Sequence, residues 1–180
     1  MTAMPHVLSR LFVGGFLAIC FASANTNFAQ TSRVFHDDEI HFSFRYPPNW
    51  EPVEPQSKST RVLLYARDGS EATANVSVVK SDKHSVRDFD VTYFQTILSK
   101  INRQSKVSSV RYISVLGKEM AIADATFKVE MPSKVIDGRS AVMATIHNGN
   151  RFMLIVNGLP EKFKGPSEAF DLMVGTFSLQ

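Results

Sequence analysis

The chain has 180 residues, 44% of them hydrophobic, and this length and composition are typical of one globular domain. Its 20 Lys and Arg stand against 17 Asp and Glu, a balance too even for a dedicated nucleic-acid binder, which carries a pronounced basic face. The only cysteine is Cys20, so a framework of internal disulfides is excluded.

The first 24 residues have the pattern of a secretory signal peptide. Arg10 precedes an apolar run at 11–24 that has no acidic residue, and residues 22–24 (Ala-Ser-Ala) provide a small-x-small cleavage signal. We expect cleavage after Ala24, or alternatively after Ala29, and a periplasmic or secreted protein with no stable membrane insertion afterwards. An uncleaved anchor is the alternative, but this run of 14 residues is shorter than the roughly 20 that a membrane-spanning helix needs.

The first part of the mature chain is predicted to be a flexible leader followed by strands. Its elements are a polar leader at 25–33, strands at Val34–His36, Ile40–Tyr46, Arg61–Arg67 and Ala72–Lys80, and a long loop at Glu51–Thr60. The strand at Ile40–Tyr46 has the clearest pattern, because its apolar residues alternate with polar ones. Pro47-Pro48 ends it, since proline lacks the N–H that a sheet ladder uses. A single domain at 34–180 is expected to begin with these strands.

A helix and two strands are predicted next. Ser85–Asp88 fits a capping box, in which a hydroxyl and a carboxylate accept hydrogen bonds from free backbone N–H groups at a helix start. Four apolar residues then recur at four-residue spacing and give the helix a stripe that packs on a sheet. They are Phe89, Tyr93, Ile97 and Ile101, and Phe94 and Leu98 flank them and broaden the stripe. Strands are predicted at Lys106–Leu116 and Lys118–Glu130, and alternate alanines in the second leave room for the helix.

A β-hairpin from Arg139 to Val156 is predicted to lie at the centre of the sheet. Asn148-Gly149 fits a type I′ turn, because both residues tolerate positive φ angles. The two arms are apolar on both faces, so cover on each side is expected. Met131–Gly138 is predicted as a connection into this hairpin, and a short helix is predicted after it with Pro166 in its first turn.

The order of these elements and three short segments carry a resemblance to a known family. The segments are Tyr46-Pro47-Pro48-Asn49-Trp50, residues 74–79 (Ala-Asn-Val-Ser-Val-Val) and Thr176-Phe177-Ser178. Over about residues 34–179 the chain is similar to the PsbP family and its relatives, which include the Ran-binding Mog proteins and assorted secreted bacterial proteins. The resemblance implies an α+β fold, an α/β/α sandwich in which an antiparallel sheet of about six to eight strands is covered by helices on both faces.

The resemblance also implies a role. Members of that family act by binding and not by catalysis, so it implies an exported binding or accessory module for a protein partner that the sequence does not identify. The bacterial-type export signal differs from the plastid transit segment of photosynthetic members, which argues against a photosystem role. A structural subunit of an envelope assembly is an alternative.

The sequence has few motifs that are typical of catalysis, cofactor binding or metal binding. The sequence has no Gly-x-Ser-x-Gly elbow, no phosphate-binding glycine loop and no dinucleotide fingerprint, so no catalytic residue and no cofactor is predicted. One cluster, His36, Asp37 and His41, has side chains able to hold a divalent ion across the first hairpin. A metal-dependent enzyme centred there is the alternative to a binding module. No spaced metal motif supports it, and a polar hairpin tip is the favoured interpretation.

A partner-binding region is predicted around the long loop. Loops on a rigid scaffold are common recognition elements, and proline lowers the entropy that such a loop loses on capture. The candidate residues are Trp50, Glu51, Glu54 and Lys58. The alternative for the loop is an ordinary solvated connection. For Trp50, the only tryptophan, a structural role is favoured, in which the indole closes one end of the core.

Overall fold

Strands make up most of the folded chain. The computed structural model describes residues 32–180, so the predicted signal peptide, both predicted cleavage sites and all but the end of the predicted leader lie outside the described residues. The elements are β1 (Arg33–Asp37), β2 (Phe42–Tyr46), β3 (Trp50–Val53), β4 (Thr60–Ala66), β5 (Thr73–Lys80), α1 (Val91–Ile101), β6 (Lys106–Val115), β7 (Lys118–Met131), β8 (Lys134–His147), β9 (Asn150–Gly158), α2 (Lys164–Gly175) and β10 (Ser178–Leu179). Arg33, predicted as leader, is therefore the first residue of a strand.

Seven strands form one antiparallel sheet in the order β3-β4-β5-β9-β8-β7-β6, and three form a small sheet in the order β1-β2-β10. Successive residues of a strand face opposite sides of a sheet. Val142 and Ile155 cluster with buried residues of α1, whereas Met143 and Leu154 cluster with buried residues of α2. The helices therefore lie on opposite faces, which we call the α1 face and the α2 face, and the predicted α/β/α sandwich is confirmed.

The small sheet adds cover that the sequence did not predict. Phe42 and Phe44 of β2 are buried in the same cluster as Phe170 of α2. Phe177, which precedes β10, stacks on Phe42 with ring centroids 5.8 Å apart. Aromatic pairs at this spacing are favourable beyond the area they bury. The first hairpin therefore packs over the α2 face instead of extending the main sheet.

The central hairpin has the predicted geometry. β8 and β9 pair in register from Arg139 opposite Gly158 to His147 opposite Asn150. Asn148 and Gly149 have φ angles of 49° and 70°, as a type I′ turn requires. β8 lies between β7 and β9, and β9 lies between β5 and β8. Both arms are therefore internal to the sheet, which explains why they are apolar on both faces.

The start of α1 differs from the prediction. The capping box at Ser85 is present, but it caps a short 3-10 turn at Val86–Asp88. The chain then breaks at Phe89, and Asp90 caps α1 by accepting a hydrogen bond from the N–H of Tyr93 over 2.8 Å. Because α1 begins at Val91, Phe89 of the predicted stripe lies before the helix. Phe94 and Leu98 are the buried residues of α1, and Ile101, which the stripe placed inward, is 69% exposed.

Strands β7 and β8 are longer than predicted. The predicted connection at Met131–Gly138 is wrong, because residues 134–138 pair with β7 and leave only a tight turn at 132–133. Gly138 lies opposite Phe127, and a Cβ on Gly138 would lie 2.2 Å from Cζ of the Phe127 ring. The glycine therefore makes room for a cross-strand aromatic ring and does not mark a loop.

The predicted loop at Glu51–Thr60 is also shorter than expected. Trp50–Val53 forms β3 and pairs with β4, which leaves residues 54–59 as the loop, and Thr60 belongs to β4. Pro52 is tolerated because β3 is an outermost strand, and one side of such a strand has no ladder partner. Within residues 32–180, no helix has both the length and the apolar character required to cross a membrane.

Candidate functional site: a groove on the half-covered sheet face

Helix α1 covers only half of the sheet face on which it lies. The buried residues around α1 on the sheet come from β6 to β9 and include Ala123, Val142 and Ile155, which form one cross-strand row. The same row continues into β5 and β4 as Asn75 and Leu63, which are only partly buried. The β4–β5 half of the α1 face is therefore open.

A groove of about 400 Å³ lies along this open half, and we call it the groove. Its lining residues come from β4, β5, β9, α1 and the loop at 54–59. They include Gln56 and Ser59 from the loop at 54–59, Ser77 and Val79 from β5, Ile97 from α1 and Met153 from β9. Apolar and neutral polar side chains are mixed, which is the character of a recognition surface and not of a core.

The loop at 54–59 is held against β5 by its backbone. The N–H of Val78 donates to the carbonyl of Ser59 over 2.8 Å, and the N–H of Thr60 donates to the carbonyl of Ser57 over 3.0 Å. A β-bulge between Thr60 and Val62 lies where the chain enters β4. A bulge bends its strand and increases the local twist. The loop therefore has a defined position beside the groove.

Arg151 of β9 is the only charged residue among the described residues that line the groove. It lies in register with Val79 of β5 and Ile146 of β8. Its Nη1 donates a hydrogen bond to the hydroxyl of Tyr93, and its guanidinium carbon lies 5.8 Å from the centroid of that ring. Its Nε is buried and has no hydrogen-bond acceptor among the described residues. Within residues 32–180 no carboxylate forms an ion pair with it.

A second depression, of about 530 Å³, lies beside α2. It is lined by Trp50 and by three carboxylates, those of Asp68, Glu168 and Asp171. Burial raises the pKa of Asp171; the charge of Arg111 offsets part of this increase, and the charges of Asp124 and Glu168 add to it. Burial would also raise the pKa of Asp68, but hydrogen bonds from Ser70 and from Asn49 together outweigh it and hold the pKa below its usual value. The carboxylate of Asp68 is therefore already engaged in hydrogen bonds with Ser70 and Asn49.

The structure does not assemble the metal site considered from the sequence. The carboxylate of Asp37 receives two hydrogen bonds from Arg61, at 2.8 and 3.2 Å, and two more from the backbone N–H groups of Glu39 and Ile40. Burial would raise the pKa of Asp37, but the hydrogen bonds and charge of Arg61, with those backbone donors, lower it below its usual value. Arginine therefore neutralises this carboxylate where the metal hypothesis required an ion.

Of the two histidines in that hypothesis, one pairs with a different carboxylate and the other lies in the turn. Nε2 of His36 lies 2.9 Å from a carboxylate oxygen of Asp38. His41 has a φ of 57° in the turn, and its carbonyl accepts a hydrogen bond from the N–H of Gln180. Over residues 32–180 no three His, Cys, Asp or Glu side chains are grouped so that they would hold a metal ion.

The predicted partner-binding residues fall in three different environments. Trp50 is 2% exposed and belongs to the core of the α2 face, which fits the structural role that was favoured for this residue. Glu51 lies on the edge strand β3, where it pairs with Arg67 over 2.8 Å. Glu54 and Lys58 are exposed on the loop that borders the groove. Of the predicted partner-binding region, only the loop at 54–59 borders the groove.

Sequence reasoning missed Arg151 and the polar residues of β5. A signal for the latter is present, because Asn75 and Ser77 alternate with Ala74 and Val76, whereas an internal strand covered on both faces is apolar throughout. That alternation indicates one open face. Arg151 has no such signal, since a charged residue directly after an Asn-Gly turn is also typical of an exposed hairpin tip.

The architecture defines a class of protein: an α+β domain of the PsbP/Mog-like fold, with an antiparallel sheet between helices. The solution structure of cyanobacterial PsbP, CyanoP, from Synechocystis sp. PCC 6803 has a TM-score of 0.66 to this chain at 14% identity, and the match covers 93% of this chain and 99% of CyanoP.

Two further solved structures share the fold. The Ran-binding protein Mog1p of Saccharomyces cerevisiae has a TM-score of 0.61 at 9% identity, with 82% of this chain and 95% of Mog1p covered. LpqN of Mycobacterium tuberculosis, described as involved in cell envelope biogenesis, has a TM-score of 0.54 at 11% identity, with 83% and 90% covered. No protein-family model matches the sequence, and no curated protein matches it. These likenesses confirm the predicted fold.

Proposed function

We propose that this protein is an exported, non-enzymatic accessory module that binds a protein partner in the groove. The half-covered α1 face carries the proposal: α1 stops short of β4 and β5, and the chain leaves a mixed polar and apolar surface of internal strands in contact with solvent. A surface of this kind is ordinarily covered in a sandwich, so its exposure favours an external occupant. Fold neighbours support a binding role, since Mog1p is described as a Ran-binding protein.

Export is part of the proposal and rests on the sequence. The apolar run at 11–24 and the small residues before position 25 predict a mature protein that begins at Asn25, or alternatively at Gln30. Intact-mass measurement of protein from the periplasm and the medium tests this. A full-length mass confined to the membrane fraction would refute cleavage and restore the anchor alternative.

Site-specific photo-crosslinking in the native host tests the groove. A photoreactive residue is placed at Gln56 or Ile101, both of which line the groove and are exposed, and in separate strains at the control position Leu116. Leu116 matches Ile101 closely, because the two side chains are apolar and are 71% and 69% exposed. We expect one shared adduct from both groove positions and none from Leu116, since a specific partner contacts one surface only.

Two variants complete the experiment. Ser77→Trp fills the groove with an indole, and a Gly/Ser replacement of residues 54–59 removes the side chains of the bordering loop without entering β3 or β4. Both should abolish the adduct while the midpoint of thermal unfolding stays close to that of the wild type. An adduct that forms equally from Leu116, or that survives Ser77→Trp, would show that the groove is not the binding surface.

A further inference from the structure

The hydrogen-bonding capacity of Arg151 is incompletely used. Buried polar atoms in folded proteins nearly always have a hydrogen-bond partner, and each exception calls for a physical reason. Nε of Arg151 is the only such atom without a partner in the part of the chain that the structure describes. It belongs to the one charged side chain that lines the groove there.

The geometry of the guanidinium group indicates what is missing. Nη1 is occupied by the hydroxyl of Tyr93. Nε and the other terminal nitrogen, Nη2, form the side-on edge of a guanidinium, which matches the two oxygens of a carboxylate. No described residue supplies an acceptor to Nε. Nε is covered, so an external acceptor reaches it only when the neighbouring side chains move aside.

Arg151 is the one charged residue among the described residues that line the groove, and its positive charge favours an anion there. Nζ of Lys83 lies 5.7 Å from the centroid of the Tyr93 ring, so a second cation adjoins the aromatic ring that Arg151 contacts. The carboxylates of Asp88 and Asp90, on the segment that leads into α1, are engaged by backbone N–H groups of Ser85 and Tyr93. Among the described residues that line the groove, none is acidic.

The shape of the groove favours a segment of polypeptide over a small molecule. Pockets for small molecules enclose most of the ligand surface. The groove is open, and Ile101 at its border is 69% exposed. Val79 and Met153 offer contacts to apolar side chains, and the amide of Asn75 and the hydroxyl of Ser77 offer hydrogen bonds to a peptide backbone.

We propose that the groove recognises an extended peptide segment with an acidic side chain, whose carboxylate pairs with the Nε–Nη2 edge of Arg151. Apolar residues beside the acidic one contact Val79 and Met153. The inference rests on the function proposed above, because it names the chemistry of the partner segment that occupies the same groove.

A phage-displayed library of random seven-residue peptides tests the inference. The library is selected on the full-length wild-type protein and, in parallel, on Arg151→Gln and Arg139→Gln. Arg139 is the matched control, because its guanidinium lies 4.9 Å from the ring centroid of Phe163, away from the groove, and its loss changes the net charge equally. We expect the wild type and Arg139→Gln to enrich Glu or Asp at one fixed position between apolar residues, and Arg151→Gln to lose this preference.

Affinity measurements on one selected peptide separate the inference from the proposed function. Replacing its acidic residue by the matching amide should weaken binding to the wild type about tenfold or more, as loss of a charge-assisted hydrogen bond does, and should leave binding to Arg151→Gln unchanged. Ser77→Trp should abolish binding altogether. Peptides that need the open groove but show no acidic preference would overturn the inference and leave the proposed function standing. Peptides indifferent to Ser77→Trp, or no enrichment at all, would count against both.

Discussion

Asp37 joins the small sheet to the main sheet through one side chain. It ends β1, and its carboxylate receives two hydrogen bonds from Arg61 of β4. The Asp37 side chain is 7% exposed and that of Arg61 is 25% exposed, so water competes weakly for this pair. The same guanidinium contacts Glu39 at 2.7 Å, but that carboxylate is 74% exposed. The two acidic residues are therefore expected to contribute unequally to stability.

Asp37→Asn should lower the free energy of unfolding by about 1–2 kcal/mol at pH 7, because it removes the charge from hydrogen bonds to arginine while keeping an oxygen for the backbone donors. The pKa of Asp37 is lowered in the folded protein. Its stabilisation is therefore complete above the unfolded-state pKa of about 3.9 and is lost as the pH falls through the folded-state pKa. Urea titrations of both proteins from pH 7 to pH 2 measure this convergence.

Glu39→Gln is the control for that titration. Exposed ion pairs contribute ~0.5 kcal/mol or less, so this variant should unfold nearly as the wild type does at every pH. A difference between wild type and Asp37→Asn that stayed constant down to pH 2 would show that the charge of Asp37 is not what stabilises the contact.

The cross-strand pair of Phe127 and Gly138 determines how closely β7 and β8 approach each other. A methyl group on Gly138 would overlap the Phe127 ring, so the ring must leave its place. Gly138→Ala should cost about 1–3 kcal/mol of stability, as overpacking does. In a Phe127→Ala background the same change should be neutral or slightly stabilising, because glycine is otherwise unfavourable inside a strand. Equal costs in both backgrounds, measured by chemical unfolding, would contradict this coupling.

The separate caps before α1 predict how its start responds to mutation. Asp90→Ala should cost about 1 kcal/mol, because the carboxylate is the acceptor for the N–H of Tyr93 at the first turn. Asp90→Asn keeps an acceptor oxygen and should remain close to the wild type, since Asn and Asp serve almost equally well as N-caps. Thermal unfolding of both variants measures the difference. If Asp90→Asn lost as much stability as Asp90→Ala, the charge and not the cap would be responsible.

At the scale of elements, sequence predicts structure where side-chain period and turn chemistry agree. Asn148-Gly149 flanked by two apolar runs defines the central hairpin, because few other structures satisfy both features. Prediction failed where one residue type serves two purposes. Gly138 suggests a loop but fits under a ring, and Pro52 suggests a loop but lies in an edge strand. The helix start was also misplaced, because a second cap at Asp90 follows the capping box at Ser85 and begins α1.

The groove was less predictable than the fold. Its lining residues come from β4, β5, β9, α1 and one loop, and only the loop was identified from the sequence as a candidate. A groove arises where a helix ends short of the strands beside it, and helix position over a sheet depends on packing between distant parts of the chain. The missing acceptor of Arg151 likewise becomes visible only when all the neighbours of Nε are in place.

Within residues 32–180, two hydrophobic clusters share one sheet. One lies on the α2 face and contains Trp50, and the other lies between the sheet and α1 and contains Phe94. β8 and β9 contribute alternate residues to both, such as Met143 to one and Val142 to the other. If β8 and β9 left either cluster, the buried residues of the other cluster would be exposed as well.

Unfolding is therefore expected to be one cooperative transition. Trp50, the only tryptophan, reports on the α2 face through its fluorescence. Trp50→Phe combined with Phe94→Trp moves this reporter to the α1 face, because Phe94 is fully buried there. Fluorescence of each protein should give the same urea midpoint as its own far-ultraviolet circular dichroism, since two-state domains show coincident transitions with different probes. The double variant itself will have a lower midpoint, so the comparison is made within each protein.

If the α1-face reporter changed at lower urea than the circular dichroism while Trp50 did not, α1 would detach before the sheet unfolds. The groove would then belong to a separately unfolding part of the molecule, and its partner would be expected to stabilise α1 when bound.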